Sequence, residues 1–192
     1  MLSQKLKNYN VILASGSPRR QQFFKDLGID FSIQVKEVEE VYPAHLQGSE
    51  ITDYLADLKS KAFTNLATND LVITSDTIVW LENKPLEKAK NESEAFEMLQ
   101  KLSDKKHEVI TSVSIKSAHF QKIFNDTTQV YFKKLTDEEI LFYIKNYQPF
   151  DKAGAYGIQE WIGFIGIEKI EGSYFNVMGL PVHKLYEELM KL

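Results

Sequence analysis

The chain begins with a pattern that restricts its fold: an apolar run, a tight polar turn and a helical segment follow one another directly. Residues 10–14 form a short, mainly apolar run that is typical of a strand, and turn-forming residues follow it. Residues 19–27 can form a helix that Gly28 closes. Ser17 is a suitable N-cap, and Pro18 then occupies the first helical position, where its missing N–H does no harm. The pattern predicts a strand that leads directly into a helix.

Helical and strand-like segments alternate along the rest of the chain. Strand-like apolar runs occupy residues 31–35, 71–74, 78–81, 107–116 and 123–132. Helical spacing or a capping box predicts helices over residues 49–66, 91–102, 136–147 and 182–192. A β-hairpin is predicted from residues 164–170 and 174–178. We therefore predict an α/β fold with a mixed, twisted β-sheet and flanking helices, and one domain over residues 1–192, either undivided or as two lobes around a central cleft.

Composition excludes several classes of protein. The chain has 192 residues and no cysteine, so disulfides, thiolate catalysis and cysteine metal sites are absent. Its net charge of −4 argues against a general nucleic-acid binder, which would more often carry a basic excess. It contains no apolar run of the length that spans a membrane and no signal-peptide pattern at its N-terminus. We therefore expect a cytoplasmic protein that binds neither nucleic acid nor membrane.

The hexapeptide Ser15-Gly-Ser-Pro-Arg-Arg20 has the chemistry of an anion site. A helix N-terminus presents unpaired backbone N–H groups and a positive dipole end, and Gly16 lets a ligand approach the backbone. Ser15, Ser17, Arg19 and Arg20 add two hydroxyls and two guanidiniums that suit phosphate. The alternative is a capped helix with solvated arginines. It is not a Walker loop, because no Gly-Lys-Ser/Thr follows.

Asp76 is a carboxylate between two apolar runs, where burial of an unpaired charge would be costly. It is therefore either paired for structural reasons or retained to bind Mg²⁺ or orient a water molecule. The arginine pair favours the second reading, because a triphosphate needs both cations and a metal-binding acid. Glu40 is a candidate second metal ligand, with a solvated acidic loop as the alternative.

The segment 151–159 has two glycines, an aromatic residue and Lys152, which suits a loop that approaches a ligand closely. Gln159 can read a base edge by hydrogen bonds or satisfy a turn. Lys61 and Lys88 are single lysines, which are usually solvated. The four histidines are far apart and lack the spacing of a zinc site.

Five segments together resemble the Maf family of nucleotide pyrophosphatases, nearly from end to end and in the family's order. They are Leu13-Ala-Ser-Gly-Ser-Pro-Arg-Arg20, Ser75-Asp-Thr-Ile-Val79, residues 102–111 with His107, Asp151-Lys-Ala-Gly-Ala-Tyr-Gly-Ile-Gln159 and residues 171–181. The resemblance implies a fold related to the inosine-triphosphate pyrophosphatases, a divalent cation (Mg²⁺ or Mn²⁺) and frequently a homodimer.

The resemblance also implies roles for individual residues. Asp76 would be the general base that activates water, and Glu40 would help to hold the metal. The residues that would contact the phosphates are Ser15, Ser17, Arg20, Lys61 and Lys88, and Lys152 is a further candidate contact with the substrate. Arg19, Thr77 and Gln159 would fall at positions linked to substrate choice, in the combination that resembles the branch acting on dTTP and UTP.

Two departures from the family pattern bear on these roles. Lys88 is followed by alanine where the family usually has proline, and Gln159 is followed by Glu160 and Trp161 where glycine is common. The second departure lies beside the predicted base-reading residue.

The expected function is hydrolysis of a nucleoside triphosphate to the monophosphate and pyrophosphate, with a house-cleaning role against non-standard nucleotides. Within the same class, the alternative is a 7-methyl-GTP pyrophosphatase. From another class, the alternative is a nucleotide-binding regulator of septum formation without turnover, which would bind nucleotide but release no pyrophosphate.

Overall fold

A computed structural model describes residues 1–192 and contains one mixed seven-stranded β-sheet. The strands are β1 Asn10–Leu13, β2 Ser32–Ile33, β3 Asp70–Leu81, β4 Lys84–Leu86, β5 Lys106–Lys116, β6 Gln121–Phe132 and β7 Ile167–Glu171. Their order is β2-β1-β3-β5-β6-β7, and β4 pairs with β3. β1 is parallel to β2 and β3, whereas the β3–β4 and β6–β7 pairs are antiparallel. The predicted α/β class with a mixed sheet is confirmed.

Helices occupy most of the segments between the strands. They are α1 Leu2–Lys5, α2 Pro18–Asp26, α3 Ser49–Lys61, α4 Glu92–Leu102, α5 Asp137–Tyr147, α6 Trp161–Gly166, α7 Tyr174–Val177 and α8 Val182–Met190. Both predicted capping pairs form: the Asn91 side chain accepts from the Glu94 N–H, and Thr136 and Glu139 complete a capping box. None of the helices is long and apolar enough to cross a membrane.

The chain divides into two compact units. The first comprises Met1–Asp76, Thr111–Asp126 and Gly179–Leu192, and the second comprises Thr77–Ile110 and Thr127–Met178. Each unit has its own buried apolar residues. Leu13, Phe24 and Ile73 are fully buried in the first unit, and Leu99 and Tyr143 in the second. Such burial is the main favourable contribution to the stability of each unit.

The predicted hairpin near the C-terminus is wrong. Residues 161–166 form α6, only β7 is a strand, and residues 174–177 form α7. The Ser173 side chain accepts from the Asn176 N–H and so begins a helix where an apolar run had suggested a strand. Short apolar runs do not distinguish a strand from a buried helical turn, which explains the error.

Two further boundaries differ from the prediction. The runs 71–74 and 78–81 belong to one continuous strand, β3. Two polar side chains inside this strand have partners there: Thr74 Oγ1 donates to the Ala56 carbonyl oxygen at 2.6 Å, and Asp76 Oδ1 lies 2.7 Å from Lys59 Nζ. The long helix α3 ends at Lys61 rather than near residue 66. Polar residues inside an apolar strand are tolerated when they are hydrogen-bonded.

Gly154 and Gly28 both have a left-handed backbone, with φ of 68° and 66°, but only Gly154 is crowded. A β-carbon on Gly154 would lie 2.9 Å from Val79 Cγ2, whereas one on Gly28 would meet nothing within 4 Å. Gly28→Ala should therefore lower the free energy of unfolding by about 1–2 kcal/mol, the cost of the backbone conformation alone. Gly154→Ala should lower it by about 2–4 kcal/mol, because overpacking adds to that cost.

Urea denaturation of the two variants and the wild type checks this prediction. Equal losses for both variants would show that the Val79 contact relaxes without cost.

Candidate active site

The predicted anion loop lies where β1 ends and α2 begins, beside the residues that follow the paired part of β3. β1 and β3 are parallel with Leu13 opposite Ile73, and the Ala14 N–H donates to the Ile73 carbonyl oxygen. Ser15 is buried, and its Oγ accepts from the Ser17 N–H at 3.3 Å. Ser17 is the N-cap residue of α2, as predicted, although its side chain makes no capping hydrogen bond. The loop is thus compact around Ser15, with Ser17 half-buried.

Arg20 connects three segments of the first unit. Its Nε donates to the Gly179 carbonyl oxygen at 2.8 Å, and its Nη1 donates to the Ser75 carbonyl oxygen at 3.2 Å. Nη1 also lies 3.4 Å from Ser15 Oγ. The guanidinium is therefore held at the start of α2 beside the residue that precedes Asp76.

The electrostatic surroundings of Arg20 are balanced between both signs of charge. Burial lowers the pKa of Arg20 to about 10, Asp76 and Glu40 raise it, and the neighbouring Arg19 lowers it. The guanidinium remains charged at neutral pH, because its pKa is still well above that value. Two cations of α2 thus act on the same region as two carboxylates of the first unit.

Asp76 and Glu40 share one cation, the ammonium of Lys59. Lys59 Nζ lies 2.7 Å from Asp76 Oδ1 and 3.1 Å from Glu40 Oε1. The Asp76 side chain is 9% exposed and that of Glu40 is 50% exposed, so the pair reaches from the protein interior to solvent. The structure therefore brings the two predicted metal-binding carboxylates to a common cation position.

Lys61 lies elsewhere on α3. Its side chain is 67% exposed and forms an ion pair with Asp57 at 2.6 Å, one turn earlier on the helix. This hydrogen bond raises the pKa of Lys61. Residues two positions apart on an α-helix are separated by about 200° around its axis, so the Lys59 and Lys61 side chains leave α3 on nearly opposite sides. The structure does not bring Lys61 to Asp76.

Lys59 is the residue that sequence reasoning missed. It follows the buried Leu55 by four residues, and Ile51, four residues before Leu55, is buried as well. Positions four residues apart lie on one helix face, so the buried face of α3 continues to Lys59. A helical projection that followed the apolar residues to the end of α3 would have selected Lys59 rather than Lys61.

The second unit contains the remaining predicted residues, and Lys152 is already paired there. It is 8% exposed, and its Nζ lies 2.6 Å from Asp151 Oδ1 and 3.1 Å from Glu160 Oε1. Two carboxylates offset the charge of one ammonium. Lys152 is thus placed to hold its own loop, and this pairing must be loosened if it is to contact a phosphate.

Lys88 and Gln159 differ from Lys152, because neither side chain forms an ion pair or a hydrogen bond within the protein. Lys88 is exposed, and its backbone forms a β-bridge with Ala153, next to Lys152. The Gln159 side chain is half-buried and makes no hydrogen bond within the protein. Thr77, the remaining candidate, is half-buried in β3. Lys88 and Gln159 therefore remain available for a ligand.

His107, which lies within one of the five segments, is a buried structural residue. It is 2% exposed, and its Nε2 is 2.8 Å from the hydroxyl of Tyr156. Burial lowers the pKa of His107 to about 3, so the imidazole is neutral at physiological pH. Its ring also makes edge contacts with Phe132 and Tyr156. His107 supports the segment 151–159 through Tyr156.

The fold is similar to that of two solved Ham1 structures. A HAM1 protein from Coxiella burnetii matches with a TM-score of 0.53 and 16% identity, over 96% of this chain and 100% of that one. The Ham1 protein of Staphylococcus aureus matches with a TM-score of 0.53 and 20% identity, over 93% and 99% of the two chains. At this level of identity the likeness shows the fold alone, and the predicted fold relationship is confirmed.

Sequence relatives are much closer. A dTTP/UTP pyrophosphatase of Flavobacterium johnsoniae is 58% identical over 100% of both chains, and one of Flavobacterium psychrophilum is 59% identical over 99% of this chain and 98% of that protein. Another of Christiangramia forsetii is 56% identical over 100% of this chain and 98% of that protein. The family model described as Maf-like protein matches residues 10–192. Since this match covers nearly the whole chain, the protein belongs to the Maf-like family.

Proposed function

We propose that the protein hydrolyses dTTP and UTP to the nucleoside monophosphate and pyrophosphate. The observation that carries this proposal is the nearly buried Asp76, whose side chain is 9% exposed and is held beside a cluster of cations in the first unit. A buried acid of this kind has no evident use in a protein that only binds nucleotide. The full-length relatives named dTTP/UTP pyrophosphatases support the same reaction and substrates.

In the proposed reaction, a water oxygen attacks the α-phosphorus while Asp76 accepts the proton. The bond between the α-phosphorus and the oxygen that bridges it to the β-phosphorus breaks, and that oxygen leaves with pyrophosphate. The increasing negative charge on the phosphates is offset by cations of the first unit, namely Arg19, Arg20 and Lys59. Fixed charges of this kind contribute most of the acceleration in phosphoryl transfer.

The Lys59 ammonium gives Asp76 a defined orientation before substrate arrives. The ion pair is shielded, since the Lys59 and Asp76 side chains are 18% and 9% exposed. A general base must lie within hydrogen-bond reach of the proton it accepts, so its orientation matters as much as its basicity. We propose that Lys59, rather than Lys61, contacts the substrate phosphates from α3.

The carboxylates present fit a divalent cation whose coordination is completed by the substrate. Asp76 and Glu40 already share the Lys59 ammonium, which shows that both oxygens can reach one cation. No group of three or more His, Cys, Asp or Glu side chains forms a complete metal site. Mg²⁺ is usually held by one or two carboxylates together with phosphate oxygens and water, which matches this donor set. When bound, Mg²⁺ or Mn²⁺ would polarise the α-phosphate.

Nucleotide choice is proposed to depend on Arg19, Thr77 and Gln159. The half-buried Gln159 amide, which has no hydrogen-bond partner within the protein, suits recognition of a base edge. Ser15, Ser17 and Lys88 are proposed phosphate contacts, and Lys152 is proposed to act mainly on its own loop. The predicted homodimer, cytoplasmic location and house-cleaning role remain predictions.

The proposed function is tested by measuring pyrophosphate release from dTTP, UTP, CTP, GTP and 7-methyl-GTP, with and without Mg²⁺ or Mn²⁺. We expect metal-dependent release from dTTP and UTP that exceeds release from the other nucleotides. Release from 7-methyl-GTP alone would support the proposed reaction but show that dTTP and UTP are not its substrates. Binding without release from any nucleotide would instead indicate a regulator.

A further inference from the structure

The turn that carries Gln159 ends in Glu160, a glutamate where the family pattern commonly has glycine. The Glu160 N–H donates to the Gly157 carbonyl oxygen at 3.0 Å, so residues 157–160 form a tight turn with Ile158 and Gln159 in its centre. Ile158 is 5% exposed and anchors the turn in the core of the second unit. The backbone of this turn therefore determines the direction of the Gln159 side chain.

The Glu160 carboxylate folds back over the turn. A β-carbon on Gly157 would lie only 2.8 Å from Glu160 Cδ, so a larger residue at position 157 would displace the Glu160 carboxylate from this position. Glu160 Oε2 accepts a hydrogen bond from the Tyr143 hydroxyl, and Oε1 lies 3.1 Å from Lys152 Nζ. The Gly157 N–H donates to the same Tyr143 hydroxyl at 3.0 Å. Both ends of the turn are thus held by one hydroxyl.

The three side chains that hold the turn are shielded from water. Tyr143 is fully buried, Lys152 is 8% exposed, and the Glu160 side chain is 19% exposed. Burial, with a contribution from Glu160, raises the pKa of Tyr143, so its hydroxyl keeps its proton and remains a donor. Bonds in a shielded network of this kind hold a fixed geometry, because water does not easily replace either partner.

We infer that Glu160 is a positioning residue for Gln159, and that Glu160, Tyr143 and Lys152 together set how strongly the protein discriminates among nucleotide bases. This inference rests on the proposed function, because that function assigns base recognition to Gln159. A hydrogen bond to a base is selective only when its donor and acceptor are held in place, since a mobile amide adapts to several bases. The network holds the turn on both sides of Gln159.

The test is Glu160→Gln, which keeps the size of the side chain and removes its charge. We expect the ratio of kcat/KM for dTTP to that for CTP to fall by about tenfold, mainly through a higher KM for dTTP, with kcat within about threefold of wild type. Glu168→Gln, which changes an exposed glutamate of the same unit, is the matched control and should leave the ratio unchanged. If Glu160→Gln does not fold, Tyr143→Phe, which removes only the hydroxyl, is measured with the same expectation.

A double variant separates positioning from general stability. Gln159→Ala alone should lower the dTTP/CTP ratio, and Glu160→Gln should cause no further loss when Gln159 is already absent. A purely structural role would instead lower the thermal unfolding temperature of Glu160→Gln and leave the ratio at its wild-type value. That result would overturn the inference while leaving the proposed function intact.

Binding measurements keep the inference testable if the proposed function fails. Trp161 follows Glu160 directly, so nucleotide binding can be measured by tryptophan fluorescence without metal. If the wild type releases no pyrophosphate but binds dTTP more tightly than CTP, loss of that preference in Glu160→Gln supports the inference. An unchanged binding preference, or none in the wild type, overturns it.

Discussion

Asp76→Asn should lower the rate of pyrophosphate release from dTTP by about 10³-fold, within the range lost when a general base is removed. Asparagine has almost the same shape as aspartate but cannot accept the proton of the attacking water. The surrounding fold should persist, because Lys59 retains its ion pair with Glu40 at 3.1 Å. The affinity for dTTP should therefore change far less than kcat.

Steady-state kinetics give the rate, and isothermal titration calorimetry with dTTP gives the affinity. Asp30→Asn is a matched control, because Asp30 is an exposed aspartate of the same unit and should leave the rate unchanged. A rate for Asp76→Asn within threefold of wild type would show that Asp76 is not the base. A loss of dTTP affinity equal to the loss of rate would assign Asp76 to binding instead.

Lys59→Met should lower kcat/KM for dTTP by about 10²-fold, comparable with the loss of one charge-stabilising group in other active sites. The change removes the ammonium that lies 2.7 Å from Asp76 and 3.1 Å from Glu40. Two carboxylates would then be close together without their protein cation, and the phosphates would lose a positive partner.

Lys61→Met provides the comparison on the same helix. The Lys61 ion pair is on the surface, and exposed pairs contribute only about 0–1 kcal/mol to folding stability, so this variant should remain folded. Because Lys61 pairs with Asp57 and not with Asp76, kcat/KM should stay within about twofold of wild type. Both variants are measured with dTTP at saturating Mg²⁺, and their thermal unfolding temperatures are recorded. If Lys61→Met caused the larger loss in a folded protein, the original assignment of Lys61 would stand and that of Lys59 would be wrong.

Local signals were sufficient to predict much of the fold. The Asn91 and Thr136 caps form where their spacing placed them, because a cap depends on residues within one helical turn. Gly28 closes α2 with a left-handed backbone for the same local reason. Residues 161–178 could not be predicted in this way. Their apolar runs are short, and burial on several sides removes the periodicity that distinguishes helix from strand.

The candidate site was predicted in part. Asp76 and the segment 15–20 were identified because their residue types carry chemistry that is unusual in an apolar strand or a helix start. Residue type could not decide between Lys59 and Lys61, because both lysines lie at the end of α3 and have the same chemistry. Only the direction of the helix face relative to β3 distinguishes them. That direction is visible in the Lys59 ion pairs and in the exposure of Lys61.

The sequence by itself determined the α/β class, the helix caps, the family and the chemical character of the two functional segments, because these depend on residue types and short spacings. The tertiary structure alone decided which lysine meets Asp76, and that Lys152 is paired with Glu160 and through it linked to Tyr143. Ion pairs and hydrogen bonds act over a few ångströms. Their partners are therefore determined by how the elements pack, and Tyr143 and Glu160 are 17 residues apart in the chain.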